Sequence, residues 1–137
     1  MNVLVDTSVW SLALRRKQPS DHVAARHLRK IIEEDSALLL GVVAQELLSS
    51  VRHDEQFTRI TAELMKFKVI EPKFGEYVAA ATIANGCTIR GISITTVDAL
   101  IAAISIDRAL PLLTTDRDFQ QIAKVFPELD LILDDFQ

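Results

Sequence analysis

Short apolar runs alternate with segments of helical period along the whole of this 137-residue chain. Five runs are brief and apolar on both faces, at residues 2–5, 37–40, 68–70, 110–113 and 129–133. Strands of this kind, separated by helices, are typical of a mostly parallel sheet that is covered by helices. The pattern therefore predicts an α/β fold with four or five strands, the last of them at the edge of the sheet.

The segments between these runs carry apolar residues at helical spacing. They predict helices over residues 7–14, 42–52, 55–67, 73–84, 97–109 and 118–125, and one more that Ser20 caps and residues 33–35 close. Asn85 and Gly86 are predicted to end the helix that begins at Lys73, and residues 88–95 are predicted to be irregular.

Composition places the chain among ordinary globular proteins, because 49% of its residues are hydrophobic and 25% are charged. Its length predicts one domain over residues 1–137. The single cysteine, Cys87, forms no internal disulfide, which favours a reducing, cytoplasmic compartment. Asp6 interrupts the first apolar run, so the sequence predicts neither a signal peptide nor attachment to a membrane.

Two aspartates follow predicted strands directly or nearly so. Asp6 comes after Val5, and Asp116 comes three residues after Leu113. Sites of open α/β sheets form outside the carboxyl ends of the strands, so both side chains are expected at one edge. Each aspartate alone also fits a helix cap, where carboxylates accept free N–H groups.

Two further acids occupy apolar helices. Asp98 opens the helix over residues 97–109 after Thr95, in a pattern like a capping box, and Glu46 lies on the flank of its helix. Four carboxylates brought to one edge would repel one another unless a cation neutralised them. Because no His or Cys accompanies them, the hard ions Mg²⁺ or Mn²⁺ are predicted rather than zinc.

Four short motifs share an order and spacing with a known family. They are Val-Asp-Thr-Ser-Val at 5–9, Gln-Glu-Leu at 45–47, Val-Asp-Ala-Leu-Ile-Ala at 97–102 and Thr-Thr-Asp-Arg-Asp-Phe at 114–119. The set resembles PIN-domain ribonucleases, above all the VapC-type toxins, over essentially the whole chain. The resemblance implies a three-layer α/β/α fold and carries the family's acids to Asp6, Glu46, Asp98 and Asp116. It adds Asp118 as a looser metal ligand and Thr114 as a supporting residue.

The resemblance also implies a Mg²⁺- or Mn²⁺-dependent endoribonuclease that inhibits translation, forms a homodimer and pairs with a small antitoxin. The hydroxyls of Thr7, Ser8 and Thr114 would hold a carboxylate or contact phosphate, or would simply cap helices. The target, whether tRNA, rRNA or mRNA, and the number of metal ions stay open. Two alternatives are an RNA-binding module without activity and a structure-specific DNA nuclease. A phosphoacceptor domain is excluded because the third strand ends at Ile70-Glu71-Pro72.

The formal charge of −4 is unusual for a protein that binds nucleic acid. Two divalent ions held by the acids would cancel it. Basic residues also cluster early in the chain, where they either contact phosphates or are simply solvated. These are Arg15, Arg16, Lys17, Arg26, Arg29, Lys30 and Arg52. Apolar stripes on the early helices form either a groove for the antitoxin or part of the core; their members are Val23, Leu28, Ile31, Leu47, Leu48 and Val51.

Overall fold

A computed structural model describes residues 1–16, 18 and 20–132 of the chain. Within them, five strands and seven helices follow one another along the sequence. The order is β1 (Val3–Val5), α1 (Thr7–Leu14), α2 (Val23–Glu33), β2 (Ala37–Leu40), α3 (Gly41–Ser49), α4 (Asp54–Leu64), β3 (Val69–Ile70), α5 (Phe74–Ile89), α6 (Thr96–Asp107), β4 (Leu112–Leu113), α7 (Asp118–Val125) and β5 (Leu131–Ile132). The predicted α/β class is confirmed. Lys17 and Leu133, which belonged to a predicted cluster and a predicted strand, lie outside the described residues.

All strands of the sheet run parallel, in the order β3-β2-β1-β4-β5. β1 is central, with Leu4 paired to Leu38 on one side and to Leu112 on the other. β1 and β4 are therefore neighbours, and their carboxyl ends lie side by side at the same end of the parallel strands. Both strands are completely apolar because helices cover the two faces of the sheet in a three-layer arrangement.

The core takes in the apolar residues of the central strands together with the inner faces of the helices. Leu28, Ile31 and Leu47 are buried in it, so these members of the early stripes face the core and form no open groove. Val23, by contrast, is 41% exposed. Trp10 is fully buried and packs against Phe67, with the ring centroids 4.9 Å apart. Within the described residues, no helix has the length and apolar character needed to cross a membrane.

The prediction that Asn85 and Gly86 end a helix is wrong, because α5 continues without a break to Ile89. Gly86 instead allows the ring of Phe126 to pack closely against α5. A Cβ atom built at Gly86 would lie 2.9 Å from Cζ of Phe126, so only glycine lets this ring lie against the helix. Burial of the ring outweighs the low helix propensity of glycine, which costs about 1 kcal/mol.

The N-terminus of α2 also differs from the prediction. His22, not Ser20, is the N-cap residue, and its Nδ1 accepts a hydrogen bond from the backbone N–H of Ala24 at 3.0 Å. Ser20 acts one step earlier, because its hydroxyl oxygen accepts from the N–H of His22 at 3.1 Å. Serine thus stabilises the turn that leads into the helix, and the helix begins two residues later than a serine cap would place it.

Candidate metal centre

Asp6 lies at the end of β1 and is buried, with 3% of its surface exposed. It occupies the N-cap position of α1, yet its side chain makes no capping hydrogen bond. Its Oδ2 instead accepts hydrogen bonds from the hydroxyls of Ser8 and Thr114, each at 2.8 Å. A capping role therefore does not explain this aspartate, and the two hydroxyls fix its orientation.

Thr114 links the ends of the two central strands. It is fully buried, and besides donating to Asp6 it accepts a hydrogen bond from the backbone N–H of Asp116 at 2.9 Å. Ser8 accepts in the same way from the N–H of Thr115 at 3.1 Å. The first turn of α1 and the segment after β4 are thus held together, and Thr114 contacts both Asp6 and Asp116.

Three carboxylates converge at this edge of the sheet. Oxygens of Asp98, Asp116 and Asp118 all lie within 4.8 Å of one another. Asp98 is buried in the first turn of α6, Asp116 is half-buried and Asp118 is exposed in the first turn of α7. The N–H of Asp118 donates to Oδ1 of Asp116 at 2.9 Å, which ties these two acids together. Asp118, the looser of the predicted ligands, is therefore as close to the group as the others.

The charges of the cluster act strongly on Asp98. Burial, together with the negative charges of Asp116, Asp6 and Glu46, raises the pKa of this carboxyl to about 7, although a hydrogen bond with Thr95 lowers it. The other three acids of the predicted set thus all act on the pKa of Asp98. The sequence pattern in which Thr95 caps α6 is also present, since its hydroxyl accepts from the N–H of Asp98 at 3.0 Å.

Asp6 shows the same effect of burial. Desolvation raises the pKa of its carboxyl, while the hydroxyls of Ser8 and Thr114 lower it. The backbone N–H groups of Thr7 and Ser8 also favour the charged form, although neither makes a cap hydrogen bond of normal geometry. Two buried carboxylates of raised pKa at one edge mark a place where negative charge lacks compensation.

Glu46 lies at the rim of the cluster on α3 and is exposed. The hydroxyl of Thr7, in the first turn of α1, donates to its Oε1 at 2.5 Å. This contact joins residues 39 positions apart, and no local sequence signal marks it. Glu46 is not one of the three carboxylates that lie within 4.8 Å of one another, although its charge acts on Asp98.

The donor set fits a hard divalent cation. Only carboxylate oxygens make up the group within the described residues, and these are the ligands of Mg²⁺ and Mn²⁺ rather than of zinc. A cation would also remove the repulsion that raises the pKa of Asp98. Asp98, Asp116 and Asp118 have the spacing to hold such an ion, and Asp6 is near enough for its charge to act on Asp98.

Fold and site together define a class of α/β protein that gathers acidic side chains at the carboxyl edge of a parallel sheet. A family model described as "PIN domain" matches residues 3–125, and the chain belongs to this family. The resemblance seen in the four sequence motifs is thereby confirmed at the level of the family.

Individual relatives agree with this assignment. "Ribonuclease VapC11" of Mycobacterium tuberculosis is 28% identical over 131 residues, which cover 90% of this chain and 92% of the relative. The structure of VapBC2 from Rickettsia felis, bound to a DNA fragment from its promoter, is similar with a TM-score of 0.75 and 18% identity over 96% of this chain and 97% of that one. FitAcB from Neisseria gonorrhoeae has a TM-score of 0.72 and 23% identity over 94% and 95% of the two chains. These two structures support the fold.

Proposed function

We propose that this chain is a Mg²⁺- or Mn²⁺-dependent endoribonuclease and the toxin of a toxin–antitoxin pair. The observation that carries the proposal is the convergence of Asp98, Asp116 and Asp118 within 4.8 Å, with Asp6 and Glu46 close enough to act on Asp98. Membership of the PIN-domain family and the ribonuclease name of a relative that covers most of the chain support it.

Each acid has a separate part in this mechanism. Asp98, Asp116 and Asp118 would hold the cation, and Asp6, kept in place by Ser8 and Thr114, would add a further carboxylate to the site. The ion, when bound, supplies charge neutralisation at the phosphate and a more acidic water.

Glu46 lies at the exposed rim, where water enters, and the hydroxyl of Thr7 holds one of its oxygens. The other oxygen would be free to orient the attacking water and accept its proton. RNA is the substrate in this proposal, cut at a phosphodiester bond.

Protein partners are part of the same proposal: a second copy of the chain and a cognate antitoxin. Phe74, Tyr77 and Val78 support this, because they lie on one side of α5 and are 81%, 51% and 52% exposed. An adjacent cavity of about 340 Å³, lined by Ala81 and Leu100 among others, continues this apolar surface. Contiguous apolar surface of this kind is typical of protein interfaces.

The first experiment is cleavage of total cellular RNA by the purified chain in Mg²⁺, in Mn²⁺ and in EDTA. Asp6→Asn should lose cleavage and stay folded, because it keeps the shape of the side chain and removes its charge. The matched control is Asp130→Asn, the same change at an exposed aspartate just before β5, at the opposite edge of the sheet. Discrete fragments that require metal, persist in the control and vanish in Asp6→Asn support the proposal.

Other results would contradict it. Normal cleavage by Asp6→Asn would make the site assignment wrong, and cleavage of structured DNA alone in a parallel assay would identify a DNA nuclease. A folded chain that binds RNA and never cuts it would be a binding module. Expression of the chain alone should slow bacterial growth, and a harmless, well-expressed folded protein would argue against a toxin.

A further inference from the structure

A second cavity, of about 350 Å³, lies between the end of α1 and the beginning of α4. The residues that line it all have polar side chains, and two of them are arginines: Arg15, His53, Glu55, Gln56 and Arg59. None of these residues belongs to the metal centre, and the mechanism proposed above does not use them. The cavity therefore needs a separate explanation.

The walls of this cavity are joined by hydrogen bonds to the last turn of α1. Nη1 of Arg59 donates to the carbonyl of Leu14 at 3.0 Å, and Nε2 of Gln56 donates to the carbonyl of Arg15 at 2.5 Å. A guanidinium at the carboxyl end of a helix is favoured by the helix dipole as well. These contacts use few of the donors that arginine offers, so N–H groups remain for a ligand. The cavity is a built feature of the fold, since two helices are fastened around it.

Helices α1 and α3 connect this cavity to the metal centre. At one end of α1, Thr7 contacts Glu46 of α3; at the other end, Nη2 of Arg15 donates to the carbonyl of Ser50, just after α3, at 3.4 Å. The eight residues of α1 correspond to about 12 Å of helix axis. A single strand of nucleic acid that lies along α1 and α3 would therefore reach the cavity within a few nucleotides of the acids.

Charge makes the cavity suitable for an anion. Two guanidinium groups face one carboxylate, that of Glu55, and the exposed Arg16 and Arg52 lie next to the lining residues in sequence. The chain as a whole carries −4, and its cluster of acids would repel a phosphate backbone. A polyanion gains its affinity where cationic groups gather, and Arg15 and Arg59 provide such a place.

We propose that this cavity is a subsite for a backbone phosphate of the RNA substrate, away from the bond that is cut. The proposal rests on the proposed ribonuclease function. Arg15 and Arg59 pair with the phosphate oxygens, and His53 and Gln56 offer further hydrogen-bonding atoms. Contacts to phosphate position a strand without reading its sequence, so this subsite sets the path of the RNA across the protein.

The test measures binding separately from cleavage. A fluorescently labelled single-stranded RNA of mixed sequence is titrated with the full chain in EDTA, at several salt concentrations. Arg15→Gln and His53→Ala should each weaken binding by about two- to five-fold, because the first removes a positive charge and the second removes the hydrogen-bonding atoms of the imidazole. Arg15→Gln should also reduce the slope of log K against log salt by about 0.7, the value for one phosphate contact to a single strand. Glu55→Gln should strengthen binding, because it removes the one negative charge of the lining.

The matched control is Arg90→Gln, which removes the same charge from an exposed position at the end of α5. It should leave the affinity and the salt slope close to those of the wild type. Arg15→Lys keeps the charge and should restore most of the affinity. Thermal unfolding of every variant verifies the fold, and Arg59 is left unchanged because it caps α1.

Three results would overturn the subsite. The first is equal RNA binding by the wild type, Arg15→Gln and Arg90→Gln, and the second is an unchanged RNA affinity in Glu55→Gln. The third is an Arg15→Gln variant that loses affinity for an acidic peptide such as oligoglutamate while its RNA binding is unaltered, which would assign the cavity to a protein partner. Failure of the ribonuclease proposal would give a different result. The RNA would then still bind with the dependence on Arg15 described above, but it would stay intact in Mg²⁺.

Discussion

The hydroxyl of Thr7 donates a hydrogen bond to the carboxylate of Glu46 at 2.5 Å, and so joins the first turn of α1 to α3. Glu46 is exposed and has no other partner among the side-chain hydrogen bonds of the described residues, so Thr7 alone restrains it. The acid at the rim of the metal centre is thus oriented by a residue adjacent to Asp6, the buried acid behind it.

Replacing Thr7 with Val should lower kcat for RNA cleavage by about tenfold or more, because Glu46 would lose its orientation while the side-chain volume is kept. KM should change little, since no contact to the RNA is removed. Thr7→Ser retains the hydroxyl and should restore most of the rate. Steady-state cleavage of a labelled RNA in Mg²⁺ measures both constants. If Thr7→Val cleaved at the wild-type rate, Glu46 would need no such support.

The stability of the metal-free protein should fall as the pH rises from about 4 to 7. The pKa of Asp98 is about 7 in the folded chain against 3.8 for an unperturbed aspartate, so the folded state holds a proton that the unfolded state releases in this window. The loss of stability is absent at pH values below 3.8 and complete at pH values above about 7. Thermal unfolding in EDTA across this range should show the decline, and Asp98→Asn should flatten it.

Addition of Mg²⁺ offers a second check on the same group. Binding to the ionised form should raise Tm more at pH 8 than at pH 5, because at the lower pH the metal must displace a proton from Asp98. An identical decline with pH in the wild type and in Asp98→Asn would mean that another group is responsible.

Much of the fold was predictable because strands buried on both faces leave continuous apolar runs. Residues 37–40 and 118–125 were predicted with the bounds that the structure has. The prediction that a helix ends at Gly86 was wrong because a contact with Phe126, forty positions away, decides the role of this glycine. Local propensity cannot report a contact between distant parts of the chain.

The candidate site was predictable for a related reason. Asp6 and Asp116 follow strands, and parallel strands end at one edge, so chain order alone brings them together. The spacing did not reveal that Asp118 lies within 4.8 Å of Asp98, nor that Thr7 contacts Glu46. Both relationships depend on how helices are oriented against each other, which tertiary packing decides. The catalytic roles of these residues stay predictions.

A buried ion pair outside the site should govern stability in acid. Glu76 is 2% exposed and accepts from Nε and Nη2 of Arg108 at 2.9 and 2.8 Å, and this pairing lowers its pKa to about 2. The stabilisation is complete above the unperturbed value of 4.5 and is lost as the pH falls from there towards 2. Glu76→Gln should lower the free energy of unfolding at pH 7 by about 1–3 kcal/mol and reduce its dependence on pH in this range.

The control for this ion pair is Glu63→Gln, the same substitution in the exposed pair that Glu63 forms with Lys66 at 3.2 Å. Its effect should stay below about 1 kcal/mol, since exposed pairs contribute little. Urea unfolding at pH 7 and at pH 3 measures both variants. Equal losses for the two substitutions would show that burial adds nothing to the pair with Arg108.

Ala109 follows α6 in the left-handed conformation, with φ of 50°. The N–H of Leu110 donates to the carbonyl of Ser105 at 2.9 Å, so this residue ends the helix in the geometry that normally requires glycine. Ala109→Gly should raise the free energy of unfolding by about 0.5–1 kcal/mol, because relief of the steric strain on Cβ exceeds the added entropy of the unfolded chain. Ala81→Gly, the same substitution inside α5, should have the opposite sign and cost about 1 kcal/mol. Urea unfolding of both variants decides the matter, and a loss of stability in Ala109→Gly would mean that the strain at this position is too small to matter.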